Sequence, residues 1–554
     1  MELMARRVAF SLLSILVGYS IFGIFAFSLR FRLDFPVEAY WFSFVFVSLP
    51  LLFEVFFWKS NPKLRLLYLL SFSLMIHLQY AVVDSSSILL SQDAVADYKL
   101  SAKIVADSRW APLEWAEWTF GFEYRFYPVT NFLYATVSLL TGIPLLIVVK
   151  YLFVVKVLVV TPIAERLFRG FSNQRVAYLA TMLFLASPGA TLFPHKESFA
   201  VIFFILGMYA ITKTEKARQY LLISVLSILT LIMTHHFTTY VFLVLLTSLF
   251  LVGHFYKSQK TVKVSGQFFM LCFIVFLTWV AYIAWTIIAL HQRFFFGMFF
   301  EVLLPGRVMV SELMPLYTLF ERILVWLGMG ITAVSAVLGL LSYVRNRKIF
   351  SPSFFAMTVF LVPLLFLASI FRFSPNPMNI LVSHRIFEFG YLIIGIMSAL
   401  LFIQAFRTRK KLILKAILVC AIVVMMIVGP MTGAMHPRTF AMVSDVISIK
   451  GLSMNTWMSE SGASNEYAIG DKVLYIILAG YGDSFVTRSS EFFTSQDFDL
   501  PSDIRSRSSY VVTYIYMTDF YGPDAARFYA SPFFHNLYAN GLLSVFRIAN
   551  HTSS

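Results

Sequence analysis

The sequence predicts an α-helical polytopic membrane protein of about thirteen transmembrane helices, ending in a small C-terminal extracytoplasmic α/β domain. Three observations predict it. Charged residues make up only 13% of the chain, about half the share in a soluble protein, and the mean hydropathy is +0.77. Apolar runs of roughly 20 residues recur, each long enough to cross a bilayer as a helix that satisfies its own backbone. Lys and Arg gather on every second connection between these runs, as the excess of positive charge on the cytoplasmic side requires.

The spans fall at about 8–29, 39–57, 64–83, 144–164, 176–193, 197–212, 219–236, 238–255, 267–290, 321–343, 353–371, 384–404 and 411–430. Arg6 and Arg7 precede the first run, which carries no small-residue cleavage site and therefore reads as a span. The basic connections hold Lys59, Lys63 and Arg65, then Arg166 and Arg169, Lys213 and Lys216, Lys257 and Lys260, Arg345 and Arg347, and Arg407 and Arg409. They place the N-terminus in the cytoplasm and everything after 431 outside. The run 129–142 is apolar but short, and counting it as a span would invert every later loop. It reads as an interfacial or re-entrant helix. Four regions result: 1–83 with three spans, 84–143 as an outer acidic loop with interfacial helices, 144–430 as the transmembrane core, and 431–554 as the outer domain. In the last region 468–471, 510–516 and 542–548 read as strands.

Several function classes drop out. The net charge of +15 sits in short clusters between apolar runs, which is membrane topology and not a nucleic-acid surface. Cys272 and Cys420 both lie in apolar spans and can build neither a disulfide framework nor a zinc site. No P-loop, GxSxG, HExxH or CxxC pattern is present, so the chain is not a nucleotide-driven pump.

The outer loop 84–128 is the long polar segment before the tail. Asp93 and Asp97 are four apart in a stretch that reads as helix, so both carboxylates point to one face. Such a pair can supply a general base and an acceptor-orienting group, or hold a divalent ion, Mg or Mn. It can equally be a solvated face paired with Lys99 and Lys103. Trp110, Trp115 and Trp118 suit either a sugar-stacking platform or an interfacial belt. Other polar groups fall on the same outer level. Lys196 can hold a phosphate at the start of a span, or snorkel beside Glu197. His235 and His236 can meet phosphate or metal, or make interfacial hydrogen bonds. Arg385 offers a fork for phosphate, and Glu388 lies one turn on as an ion partner.

The order of these features resembles the membrane-embedded glycosyltransferases of the C superfamily (GT-C), closest to the archaeal-type members. The residues that carry the likeness are DAVADY at 93–98, Trp110, the YP…LTGIP run at 127–144, RLFRG at 166–170, the SPG…HKES and THH…Y turns, the HR–EF start of a late span, and the closing YANGLLSVFRI strand. The resemblance implies transfer of a sugar from a polyprenyl (dolichyl) phosphate carrier to a lipid, glycan or protein acceptor on the extracytoplasmic side, in the cell envelope and with inversion. It implies Asp93 and Asp97 as catalytic carboxylates. Lys196, His235, His236 and Arg385 would hold the carrier phosphate, and Trp110, Tyr127, Glu197 and Glu388 would touch sugar or acceptor. The chain has no DxD in the acidic loop and no WWDYG in the tail. That points away from asparagine-sequon enzymes and toward protein mannosyltransferases or aminoarabinose transferases. The alternative is a polytopic transporter or lipid flippase, which would place polar groups near mid-membrane and break helices on both sides.

Overall fold

The computed structural model describes residues 2–30, 36–57, 62–82, 92–112, 125–187, 196–214, 218–255, 264–284, 318–345, 352–372, 377–408 and 412–433, isolated positions at 454, 457, 458 and 460, and five strands beyond them. Helices dominate. In chain order they are α1 (Glu2–Arg30), α2 (Val37–Phe56), α3 (Pro62–Val82), α4 (Gln92–Asp107), α5 (Val129–Thr141), α6 (Leu145–Tyr151), α7 (Phe153–Phe171) and α8 (Gln174–Leu185). They continue with α9 (Lys196–Ile211), α10 (Arg218–Ile232), α11 (His236–Phe255), α12 (Gly266–Tyr282), α13 (Leu319–Arg345), α14 (Pro352–Arg372), α15 (Pro377–Thr408) and α16 (Leu412–Gly433).

Each expected span overlaps one of these helices, with 144–164 falling on α6 and α7 together. Among the described residues six stretches are long and apolar enough to cross a membrane: Ala5–Ser28, Val37–Phe56, Leu145–Phe171, His236–Phe255, Leu319–Arg345 and Phe389–Thr408. The chain is an integral membrane protein. The count of thirteen crossings remains a sequence expectation, because several of the other helices are shorter than a bilayer is thick. Large apolar side chains stand open on the outside of the bundle, among them Leu13 and Leu16 of α1, Leu222 of α10, Leu277 of α12, Trp326 and Leu341 of α13 and Ile413 of α16. In water such a surface would be an aggregation site. Against lipid tails it costs nothing.

One buried cluster runs from α1 to α16. Its largest side chains include Tyr40, Tyr68, Phe25, Phe44 and Phe72 near the N-terminal helices and Phe168 and Phe199 further on. Polar anchors fix the helices within it. Trp41 of α2 donates its indole N–H to Oε1 of the buried Glu321 at 2.7 Å. Glu321 is itself half of a reciprocal cap at the start of α13: Oε2 accepts the Thr318 N–H (2.9 Å) and Thr318 Oγ1 accepts the Glu321 N–H (3.2 Å). At the other end of the bundle the Tyr178 hydroxyl of α8 donates to the Arg65 carbonyl of α3 at 3.0 Å.

α5 occupies the short apolar run 129–142. It stops because Gly142 takes a left-handed conformation, φ 68° and ψ 4°, and returns its N–H to the Ser138 carbonyl at 2.9 Å. A side chain at that φ is strained, which is why glycine ends the helix there. Pro144 then starts α6 at a new angle.

The tail carries a five-stranded sheet of β1 (Tyr467–Gly470), β2 (Val486–Arg488), β3 (Ser508–Tyr514), β4 (Phe534–Ala539) and β5 (Leu543–Ile548). The strand order is β2-β1-β3-β5-β4. β1 pairs in parallel with β2 and β3, and β5 pairs antiparallel with β3 and β4. Three of the strands fall on the runs expected from the sequence. β2, only three residues long, and β4 were not legible there.

Candidate functional site

Asp97 is the centre of the polar cluster that the fold assembles. α4 begins at Gln92, so Asp93 and Asp97 stand one turn apart on the same helix, as their spacing requires. The Asp93 side chain lies outside the described residues. The Asp97 side chain is fully buried and its carboxylate is answered on both oxygens. Oδ2 accepts the backbone N–H of Lys196 at 3.0 Å. Oδ1 lies 3.5 Å from the Lys196 ammonium and 3.4 Å from Asn131 Nδ2.

The reason is local. Lys196 is the first residue of α9, and its N–H is one of the donors that a helix leaves without an internal acceptor. Asp97, 99 residues away in sequence, supplies the capping carboxylate, and the positive end of the helix dipole favours it there. The Lys196 ammonium is shared. It also donates to the Tyr127 carbonyl at 2.7 Å. Asn131 of α5 adds two more bonds, donating to the Asp97 carbonyl at 2.9 Å and to Ser101 Oγ at 3.2 Å. Ser101 in turn donates to the Asp97 carbonyl at 2.6 Å. A buried ion pair survives only when its remaining hydrogen-bonding capacity is met in this way.

Around this lock stand aromatic groups. Tyr134, fully buried, meets Phe199 of α9 edge-on at 5.6 Å. Burial, and then the negative charge of Asp97, hold its phenol well above the usual range, so it stays neutral. The Tyr127 ring lies 5.2 Å from the His236 ring. His235 stands just before α11 and behaves as its cap: Nδ1 accepts the Thr238 N–H at 3.4 Å and faces Thr238 Oγ1 at 2.8 Å. An acceptor at Nδ1 puts the proton of the neutral ring on Nε2. The two imidazoles are 5.0 Å apart.

Trp110 takes the role of a brace. Its indole N–H donates to the Arg125 carbonyl at 2.8 Å, and its ring lies parallel to Trp279 of α12 at 6.1 Å between centroids. Trp115 and Trp118 lie outside the described residues. Arg385 and Glu388 sit three apart on α15, with side chains outside the described residues. Glu197 follows Lys196 and is buried.

Sequence reasoning missed Asn131, Tyr134, Lys150 and Lys156. Lys156 of α7, 1% exposed, donates to Ser198 Oγ of α9 at 2.8 Å. Lys150 of α6 is also buried. Both lysines were visible as lone charges in the apolar run LLIVVKYLFVVKVLVV, and intramembrane charges of this kind are rare enough to single out. Asn131 and Tyr134 gave no such signal.

The donor set at Asp97 does not fit a divalent metal. Its oxygens face an ammonium and an N–H, and a dication would meet the lysine charge. Among the described residues no group of three or more His, Cys, Asp or Glu side chains converges.

No family model matches the chain, and no curated protein matches it. Among solved structures, the chain is similar to two crystal structures of ArnT from Cupriavidus metallidurans, one bound to undecaprenyl phosphate and one in the apo state. Identities are 12% and 11% and TM-scores 0.48 and 0.46, with 88% of this chain and 98% of that chain covered in each case. A likeness at this level leaves the function to the residues themselves.

Proposed function

We propose that the protein is a GT-C-type membrane glycosyltransferase. It moves a sugar from a polyprenyl phosphate carrier to an acceptor on the extracytoplasmic side. The observation that carries the reading is the docking of the acidic-loop helix α4 onto the start of α9, through Asp97 and Lys196, beside Tyr127 and His236. An acidic helix held at the level where basic and imidazole groups gather is what such a transfer needs.

The chemistry divides between two kinds of group. A polyprenyl phosphate leaves readily once its developing charge is neutralised. Arg385, His235 and His236 are the groups proposed for that task, with the Arg385 fork the best matched to phosphate. Asp93 is proposed as the base that takes the acceptor proton while the acceptor oxygen attacks the anomeric carbon and the phosphate departs with the bonding pair. Attack opposite the leaving group inverts the centre. Asp97, engaged by Lys196, Asn131 and the α9 terminus, holds the helix that carries Asp93. The charges supplied by these side chains make a divalent ion dispensable in this scheme. Trp110 braces the loop against Arg125 and Trp279, and Glu197 and Glu388 remain the groups proposed to face sugar or acceptor. The tail sheet is proposed to close the outer vestibule.

The test is transfer of labelled sugar from a panel of polyprenyl-phosphate sugars by the purified protein in lipid, wild type beside Asp93→Asn. Wild-type turnover that vanishes in the variant, with carrier binding retained, is the expected result. A fully active Asp93→Asn protein removes Asp93 from the base role, and silence of the wild type across the panel overturns the reading.

A transporter is the second reading, and one observation favours it: Lys150 and Lys156 are buried charges within the apolar run Leu145–Phe171. Uptake of the same carrier lipid across sealed vesicles, without sugar transfer, would establish it instead.

A further inference from the structure

α9 opens with three consecutive polar residues, Lys196, Glu197 and Ser198, each 1% exposed. Burying three such groups at the head of an apolar helix is expensive, and two of them visibly bind other elements. Ser198 takes the ammonium of Lys156 from α7. Lys156 lies close to the middle of the 27-residue run Leu145–Phe171. At about 1.5 Å per residue it sits about 16 Å from the start of that run. The head of α9 therefore lies within reach of the Lys156 side chain.

Lys196 reaches the other way, toward the loop. Its N–H and ammonium hold Asp97 near the start of α4, and the same ammonium holds the Tyr127 carbonyl just before α5. One residue thus ties position 97 of α4 and position 127 together at the head of α9. Asn131 fastens α5 to the same turn of α4. Moving the ammonium to another ligand would take a counter-charge away from a carboxylate that is wholly buried.

We propose that Lys196 is a positioning residue for the transfer reaction, and the proposal rests on that reading of the site. It locks α4 in one register against α9, so that Asp93, one turn before Asp97, is held where acceptor activation needs it. Lys196 does not itself bind the carrier phosphate. This departs from the role that the family resemblance implies for a lysine at this place.

The experiment uses the full-length protein in lipid as wild type, Lys196→Met, Asp97→Asn, the double variant and Lys196→Arg. Three quantities are read: the thermal unfolding midpoint, kcat and KM for sugar transfer, and affinity for undecaprenyl phosphate without sugar. Each single variant is expected to lower the midpoint, and the double variant, which removes both charges together, to recover most of the loss. Lys196→Met is expected to lower kcat about 100-fold, the cost of a misplacement near 1 Å. Its affinity for undecaprenyl phosphate should stay at the wild-type value, and Lys196→Arg should restore part of kcat. Loss of undecaprenyl phosphate binding in Lys196→Met with an unchanged midpoint would overturn the proposal and make Lys196 a phosphate ligand. Additive midpoint losses would overturn it as well. If a single variant does not fold, the double variant is read alone: folded with low kcat supports the lock, folded with full kcat overturns it. A wild type that transfers nothing overturns the reaction, and surviving midpoint coupling then shows that the failure lies in that reading and not in the lock.

Discussion

Asp97 shows how far a residue's chemistry is set by what folds onto it. From sequence it is one of a pair of acids on a helix. In the structure it caps a second helix and neutralises a buried lysine. The partner that decides this lies 99 residues away, and no local pattern encodes such a meeting. What the sequence did carry was the i, i+4 spacing and the polar HKES turn. It also carried Lys150 and Lys156, two lone charges in an apolar run. Asn131 was invisible because one amide among apolar residues has no distinctive spacing. Its three contacts nonetheless make it testable: Asn131→Leu should destabilise the protein by about 1–3 kcal/mol, since the Asp97 carbonyl and carboxylate lose a buried donor. Chemical unfolding in mild detergent measures it, and an unchanged midpoint would show that α4 and α5 are not held there. Trp41→Phe is expected to cost a similar amount, about 1–3 kcal/mol, because it removes the indole donor from the buried Glu321 while keeping most of the ring volume.

At the scale of elements, apolar runs translate into helices with little loss because each helix satisfies its own backbone whatever surrounds it. Their neighbours are another matter. α13 packs on α15 where Ser335 and Ser398 share a hydroxyl bond of 2.8 Å. One turn further on Gly339 leaves no room: a Cβ there would collide with the Met397 carbonyl oxygen. Backbone cannot yield as a side chain can, so the helices would have to separate. Small residues are the usual means of bringing helices this close in a membrane. Gly339→Ala should therefore destabilise the pair by about 1–3 kcal/mol, an overpacking cost. Gly330→Ala on the same helix, where no atom lies within 4 Å of the added Cβ, should not. Equal midpoints for the two variants would contradict this packing. Neither glycine could be assigned from sequence, since both occur in similar apolar surroundings.

At the scale of the molecule, the charge rule sorts the helix ends into two groups, and the contacts test that sorting, though not which group faces out. Trp41 and Glu321 belong to ends that the charge rule puts outside, and they meet at 2.7 Å. Tyr178 and Arg65 belong to ends that it puts inside, and they also meet. So do the rings of Phe56 and Phe406, at 4.3 Å, from two more inside ends. A helix inserted the wrong way round would have crossed these pairings. The predicted topology puts the acidic loop and the tail outside and the connection around Ser258 inside. In a background where Cys272 and Cys420 are replaced, a membrane-impermeant thiol reagent added to intact cells should label Ser87→Cys and Thr552→Cys. Ser258→Cys should react only after the membrane is opened. Labelling of Ser258→Cys in intact cells together with protection of Ser87→Cys would turn the molecule over. The proposed base would then face the cytoplasm, and the donor would have to be a carrier lipid presented on that side.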